Sequence, residues 1–362
     1  MALLALIPAL ALIFGVLWDA FETVILPRRV RRRLRITSVV YRLSWVPWSD
    51  IARHVRSSTR RESFLSLYGP LALIFLLVVW ALGLIVGFAL LELGCGSSLA
   101  AADGQHSFFT DLYMSGTTFF TLGLGDVVPR SDLARFLTVV EAGIGFAFLA
   151  VVIGYLPILY QAFSRREVEV SLLDARAGSP SSAVELLRRH AGVEGADDLC
   201  QLLRGWEHWS AELLESHLSY PSLGYFRSQH EHQSWVAALT TILDACALIL
   251  AGVEQGPRHQ AKLTFAMARH AAVDLSQVFS ARPVQTKEDR LPAADLARLR
   301  ELLATAGVVP APAEAADTKL RHLRGMYEPY AVALAEQLLT PLPPWLPADG
   351  AKDDWQTSPD EL

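Results

Sequence analysis

The stretch Thr118-Phe119-Phe120-Thr121-Leu122-Gly123-Leu124-Gly125-Asp126 decides the fold. It overlaps the end of residues 107–120, which have the composition of a helix with Ser107 as its N-cap. At 1.5 Å per residue this helix is about 21 Å long, too short to cross a hydrocarbon core of about 30 Å. Because glycine tolerates backbone angles closed to other residues, a strand with alternating glycines can point successive carbonyls in one direction. At membrane depth such carbonyls must line a cavity, where a cation can serve as their partner.

Three apolar segments flank this re-entrant stretch and predict transmembrane helices at about residues 3–26, 70–92 and 133–163. The first segment is not typical of a signal peptide, because its charges follow the apolar run. Asp19 and Glu22 lie near the end of that segment. Acids within a span can mark a functional site, but we favour salt bridges to the arginines that follow.

Composition and charge indicate how the chain lies in the membrane. The 362 residues are 52% hydrophobic and 19% charged, which excludes a disordered or collagen-like protein. Residues 1–166 hold 15 Arg and no Lys against 10 acids, and 11 of these Arg lie within 27–63. The positive-inside rule places this basic loop in the cytoplasm and residues 92–132 outside. The N-terminus is then outside, and the arginines of 28–61 face anionic lipid head groups rather than nucleic acid.

The stretch 118–126 resembles the selectivity-filter signature of potassium channels, T-x-x-T-x-G-Y/F-G-D, and the resemblance covers roughly residues 65–165. It implies an outer helix, a pore helix at 107–120, a filter at 121–126 and an inner helix. It also implies K⁺ sites formed by the Thr121 hydroxyl and by the carbonyls of Thr121, Leu122, Gly123 and Leu124. Gly125 would lie at the outer mouth. Leu124 departs from the family, which usually has an aromatic residue there.

The same resemblance assigns supporting roles to residues around the filter. Asp126 would lie behind the filter, with Tyr113 as its partner, because Thr117 stands where some relatives carry an acid. Glu141 is expected to be buried near hydroxyls such as those of Ser115 or Thr118. Gly145 matches a glycine hinge of the inner helix, and a second bend is expected at two further residues, Gly154 and Pro157.

Residues 166–340 read as an all-α cytoplasmic domain, since apolar residues recur at spacings of three and four between Gly and Pro breaks. No G-x-G-x-x-G motif indicates a Rossmann domain. Residues 235–252 are nearly long enough to span a membrane, but Asp244 at their centre favours a buried helix of a soluble bundle. The Pro-rich acidic tail, 341–362, is expected to be disordered.

Outside the pore domain, the sequence contains few motifs for metal binding, disulfide formation or catalysis. Two pairs have the spacing of metal ligands on a helix, His208 with Glu212 and His270 with Asp274, although surface and core hydrogen bonding is by far the better explanation. The three cysteines are too scattered for a disulfide framework or a zinc ribbon. No nucleophile elbow, phosphate loop or acid–base pair suggests an enzyme, and no organic cofactor is indicated.

The sequence as a whole predicts an all-α membrane protein of the bacterial inner membrane, with a pore domain at 1–165. One filter strand cannot enclose an ion, so about four chains are needed, and a homotetrameric potassium channel is expected. The helical domain would regulate the gate, through an unknown ligand or ion, or drive assembly. A weakly selective cation channel and a non-conducting receptor or scaffold on the pore fold remain alternatives.

Overall fold

The computed structural model describes residues 2–26, 35–96, 99–101, 107–230, 233–253, 256–283, 289–308, 313–347, 353 and 356. The protein is an all-α membrane protein, and its described strands form a single two-stranded ladder. The chain divides into two compact units, the pore unit (residues 1–54 and 67–161) and the helical unit (residues 55–66 and 162–362). Part of the basic stretch, 27–34, and most of the tail lie outside the described residues.

The pore unit contains the predicted membrane helices. Its elements are α1 (Ala2–Ala20) with a π-helical extension (Phe21–Ile25), α2 (Ile36–His54), α4 (Tyr68–Gly94), β1 (Leu99–Ala101), α5 (Phe108–Phe119), β2 (Val127–Pro129) and the first part of α6 (Asp132–Ala177). β1 and β2 pair antiparallel, with Leu99 opposite Pro129. This ladder joins the chain that leaves α4 to the chain that leaves the filter.

Helix α1 packs on α4 through two glycines one helical turn apart. A Cβ atom at Gly87 would lie 2.7 Å from Cγ1 of Ile13, and one at Gly83 would lie 2.9 Å from Cγ2 of Val16. Small residues at this four-residue spacing let two membrane helices approach closely. The sequence contains this G-x-x-x-G pattern, which therefore positions the N-terminal helix against the outer helix.

The acids near the end of the first span are buried in a polar network rather than exposed to lipid. Asp19 Oδ2 accepts hydrogen bonds from the Thr37 amide and from Trp80 Nε1, each at 3.0 Å. Arg35 Nε lies 3.7 Å from Asp19 Oδ1 and 3.5 Å from Glu22 Oε2. A structural ion pair with the arginine-rich stretch thus accounts for both acids.

The stretch expected as a basic loop contains two helices. Helix α2 lies between residues 36 and 54, and α3 (Ser58–Ser66) belongs to the helical unit. In α2, Trp45 packs edge-on against Tyr68 with ring centroids 4.7 Å apart, and Ser44 lies 3.0 Å from the Tyr68 hydroxyl. These contacts fix α2 beside the start of α4, a tertiary effect that charge counting does not capture.

The helical unit is built around α9 (Trp235–Gly252). Around it lie the end of α6 and α7 (Ala183–Arg189), α8 (Val193–Ser219), a 3₁₀ turn (Pro221–Tyr225), α10 (Arg258–Val278), α11 (Ala293–Thr305), α12 (Ala313–Gly325) and α13 (Glu328–Leu338). Four helical stretches among the described residues are long and apolar enough to cross a membrane, and α9 is one of them. Unlike the other three, α9 is almost entirely buried, and Arg290 Nη2 lies 2.9 Å from Asp244 Oδ2 at its centre.

Part of the tail that was expected to be disordered packs against this unit. Trp345 is buried, with the guanidinium groups of Arg290 and Arg324 over its ring at 5.6 and 5.4 Å. Asp353 lies 2.8 Å from Arg189. The composition of the tail did not predict packing against a core, but one tryptophan and one acid of the tail contact arginines of the helical unit.

Candidate functional site

The re-entrant helix α5 begins at a capping box. The Ser107 side chain accepts from the Thr110 amide, and Thr110 Oγ1 accepts from the Ser107 amide, each at 3.4 Å. The helix begins at Phe108 and ends at Phe119, and each end lies one residue from its predicted position. At 1.5 Å per residue it is about 18 Å long. Its negative C-terminal end therefore stops inside the pore unit, beside the glycine-rich stretch.

The backbone after α5 alternates in conformation. Thr121, Gly123 and Gly125 have φ angles of 56°, 56° and 79°, so every second residue lies in the left-handed region. The amide of Thr121 donates to the Thr118 carbonyl at 2.9 Å, and the amide of Leu122 donates to the Thr117 carbonyl at 2.8 Å. These two bonds fix the start of the strand to the end of the pore helix.

The carbonyl oxygens of this strand are left without protein partners. In the described part of the chain, no hydrogen bond ends on the carbonyl of Thr121, Leu122, Gly123 or Leu124. The residues themselves are exposed in the single chain. Unpaired carbonyls are costly at membrane depth unless they line a cavity. A row of such oxygens at the negative end of a helix can replace the hydration shell of a cation.

Tyr113 and Asp126, proposed as partners from the sequence, lie together. The Tyr113 hydroxyl donates to Asp126 Oδ2 at 2.8 Å. Because Tyr113 lies in α5 and Asp126 follows the last filter glycine, this bond joins the two ends of the filter loop. Thr117, at the position of the missing acid, donates instead to the Met114 carbonyl within its own helix.

Glu141 joins α6 to the pore helix. Ser115 Oγ lies within hydrogen-bonding distance of both the Glu141 carboxyl and the Ile85 carbonyl, the latter at 2.8 Å. Ser115 and Glu141 are both buried, as is Thr118. One hydroxyl thus connects α4, α5 and α6 behind the filter.

Gly145, matched to a hinge from the sequence, lies where α6 closely approaches the end of α5. A Cβ atom there would be 2.1 Å from the carbonyl oxygen of Phe119, the last residue of α5. Helix α6 continues without a break from Asp132 to Ala177, through Gly154 and Pro157. A Cβ at Gly154 would meet no atom within 4 Å. In this conformation Gly145 allows packing against the pore helix.

The histidine pairs do not form a metal site in the described residues. His208 Nε2 lies 3.3 Å from Glu212 Oε1 on the exposed face of α8. His270 of α10 is exposed, and Asp274 is half-buried. The part of the chain that the structure describes holds no group of three side chains able to bind a metal.

Two buried acids near the filter were missed in the sequence. Glu92 near the end of α4 and Asp111 in the first turn of α5 are both buried and lie close enough to interact electrostatically. Their position at the edges of apolar segments was the available signal.

Comparison with protein families gives a match in this region. Residues 74–162 match the family model described as ion channel. The match covers most of α4, all of α5, the filter and the membrane part of α6, and it leaves the helical unit outside. This part of the chain is therefore similar to an ion channel.

One relative aligns with part of the chain. The chain is 23% identical over 193 residues to YdjJ of Bacillus subtilis, described as an uncharacterized membrane protein. The alignment covers 53% of this chain and 56% of the relative, so the chain spans about half the length of the curated relative that it matches. No solved structure matches.

Proposed function

We propose that the chain forms a potassium-selective channel that lets K⁺ pass down its electrochemical gradient. The observation that carries this proposal is the strand 121–125, with its alternating left-handed residues and its unpaired carbonyl oxygens. The family match over residues 74–162 supports ion conduction. The choice of K⁺ rests on the filter signature together with the Thr121 hydroxyl and the carbonyls of 121–124.

A homotetramer is part of the proposal, because one strand cannot surround an ion. Large apolar side chains of the filter region and of α6 are exposed in the single chain: Phe120, Leu122, Leu124, Phe146, Leu149 and Ile153. The filter side chains would pack between subunits, whereas the α6 face would line the pore. About four copies around one axis bring the carbonyl rows together.

The chain would lie in the bacterial inner membrane with its N-terminus outside and its helical unit in the cytoplasm. Helix α2 supports this orientation, because it exposes Leu43, Val46 and Ile51 together with Arg42 and Arg53. A basic helix with exposed apolar residues is typical of the membrane interface. Anionic lipid head groups on the cytoplasmic leaflet would be its partners.

The residue between the filter glycines favours one second candidate, a weakly selective cation channel. Leu124 has no hydroxyl with which to hydrogen-bond behind the filter, as a tyrosine can. Its side chain is 64% exposed in the single chain. The Tyr113–Asp126 bond, by contrast, supports a rigid filter loop.

Reconstitution into liposomes with opposed K⁺ and Na⁺ gradients tests both candidates. The selective channel predicts a reversal potential near that of K⁺ and uptake of Rb⁺ well above that of Na⁺. Equal behaviour of the two ions would favour the weakly selective candidate. Protein that inserts and assembles but carries no flux would support a receptor or scaffold on the same fold.

A further inference from the structure

The segment 221–227 of the helical unit, here called the bracket segment, joins the 3₁₀ turn to an extended stretch that ends at Arg227. It contacts two segments of the chain, each of which continues directly into a helix of the pore unit. Helix α6 enters the helical unit at residue 162, and α3 ends at Ser66, just before α4 begins at Tyr68. Both contacts are made by arginine side chains inside the helical unit.

Arg166 connects the inner helix to the bracket segment. Its Nη1 donates to the Leu223 carbonyl at 2.8 Å, and its Nη2 donates to the Phe226 carbonyl at 2.7 Å. The guanidinium also lies 5.2 Å from the centre of the Phe163 ring. Arg166 is 4% exposed, so its charge is held by these fixed oxygens and by Glu167, 2.8 Å away.

His217 completes the surroundings of Arg166. Since an arginine carries donors only, the His217 Nε2 atom, 3.3 Å from Arg166 Nη1, accepts a hydrogen bond. The His217 Nδ1 atom then donates to the Leu213 carbonyl at 2.8 Å. The base of the inner helix is therefore held in one orientation by α8 and by the bracket segment together.

Arg227 connects the bracket segment to α3 and to α13. Its Nη1 lies 3.5 Å from Glu62 Oε2 on α3, and its side chain is 10% exposed. The same guanidinium donates to the carbonyls of Leu338 and Leu339, where α13 ends in a left-handed residue. One buried charge thus ties together α3, the bracket segment and the C-terminal end of α13.

We propose that Arg227 and Arg166 are positioning residues, and that through them the bracket segment couples the helical unit to the cytoplasmic ends of both pore helices. This inference rests on the proposed function and gives the helical unit a regulatory role in it. A movement of α13 or α8 would act on both helices at once, because a single short segment holds both. A stimulus can shift such a gate only through its different affinity for the two conformations.

The first experiment measures opening in planar bilayers with full-length tetramer. The variants are Glu62→Gln, Arg227→Met and the double variant. We expect each single variant to change the open–closed equilibrium constant about tenfold, because each removes one partner of a mostly buried ion pair. Both changes should have the same direction, and the double variant should add little. The Rb⁺ over Na⁺ preference should stay at the wild-type value.

A matched control comes from the same unit. Arg300 and Asp317 form an ion pair of intermediate exposure between α11 and α12. Arg300→Met and Asp317→Asn should leave opening unchanged. If Glu62→Gln and Arg227→Met also leave opening unchanged, or if the control pair alters it equally, the coupling role is wrong.

Hydrogen exchange on the same proteins decides the inference even if the wild type carries no current, an outcome that would overturn the proposed function alone. Arg227→Met should speed amide exchange in residues 58–66 and 162–170 as well as in the bracket segment. Exchange that changes only within 221–227 and α13 would overturn the coupling. Should Arg227→Met fail to fold, Glu62→Gln, which leaves the α13 contacts in place, gives the same comparison.

Discussion

At the scale of single residues, Gly123 is a conformationally restricted position of the proposed filter. Its φ of 56° lies in the left-handed region, where a residue with a Cβ costs about 1–2 kcal/mol. In a ring the change is repeated in every subunit. Gly123→Ala should therefore abolish K⁺ flux or its preference over Na⁺, while the protein still inserts.

Liposome flux and membrane extraction check the Gly123 prediction together. Leu124→Tyr is the companion variant, and it should preserve flux because a side chain there points away from the ion. Wild-type K⁺ selectivity in Gly123→Ala would contradict the assignment of 121–125 as the filter.

Gly145 allows a second residue-scale prediction, which differs from that of a hinge. A methyl group at 2.1 Å from the Phe119 carbonyl oxygen forces α6 or the end of α5 to move, and overpacking of this kind costs about 1–3 kcal/mol. Because Thr121 and Leu122 hydrogen-bond to that end of α5, Gly145→Ala should disturb selectivity or tetramer stability.

Gly154→Ala is the matched control for Gly145→Ala, since its methyl group would meet no atom within 4 Å. It should leave selectivity and thermal stability of the tetramer at their wild-type values. A Gly145→Ala channel with a lower open probability but with unchanged selectivity and stability would favour the hinge.

At the scale of elements, periodicity and length were enough to predict the membrane helices and the re-entrant helix. The ends of α5 differ from the prediction by one residue each. The position of α1 was not predicted, because it depends on which face of α4 carries Gly83 and Gly87. Helix α3 was missed because its sequence is polar, and it is held by long-range contacts such as Glu62 with Arg227. Tertiary partners of this kind leave no local pattern.

Helix α8 gives a prediction about pH. Burial, reinforced by the charge of Arg166, holds the pKa of His217 well below its usual value of 6.5. Between that low pKa and about 6.5 the unfolded chain binds a proton that the folded chain does not, so stability rises with pH. Above about pH 6.5 the neutral His217 does not reduce the free energy of unfolding. As the pH falls below about 6.5, this free energy decreases by up to about 1.4 kcal/mol per pH unit.

Denaturant unfolding of the full-length protein at pH 7.5 and 5.5 measures this contribution. His217→Gln is the control, because glutamine can donate to the Leu213 carbonyl and accept from Arg166 without titrating. Its loss of stability on acidification should be smaller than that of the wild type. Equal losses would mean that His217 is already protonated in the folded protein.

At the scale of the whole molecule, the two units differ in how far the sequence could describe them. The pore unit follows from apolar length, arginine placement and the glycine pattern, all of which are local. In the helical unit, the enclosure of α9 depends on Asp244 meeting Arg290 across 46 residues. Composition predicted disorder for the tail, yet Trp345 is buried between two arginines. Such pairings arise only once the helices have packed.

The last prediction separates the two units. In the proposed channel, every residue that we assign to the ion pathway lies before residue 162. A chain that ends after Gln161 should therefore still insert and should keep the ionic selectivity of the full-length protein. It would lose Arg166 and also Arg227, the ion-pair partner of Glu62, and with them both contacts of the bracket segment. Its opening should no longer depend on pH, divalent cations or soluble ligands in the way that the full-length opening does. Flux from both proteins, compared between pH 5.5 and 8 and with added zinc or calcium, measures this difference. Identical responses would leave assembly as the role of the helical unit, and a truncated protein that migrates as a monomer would point the same way.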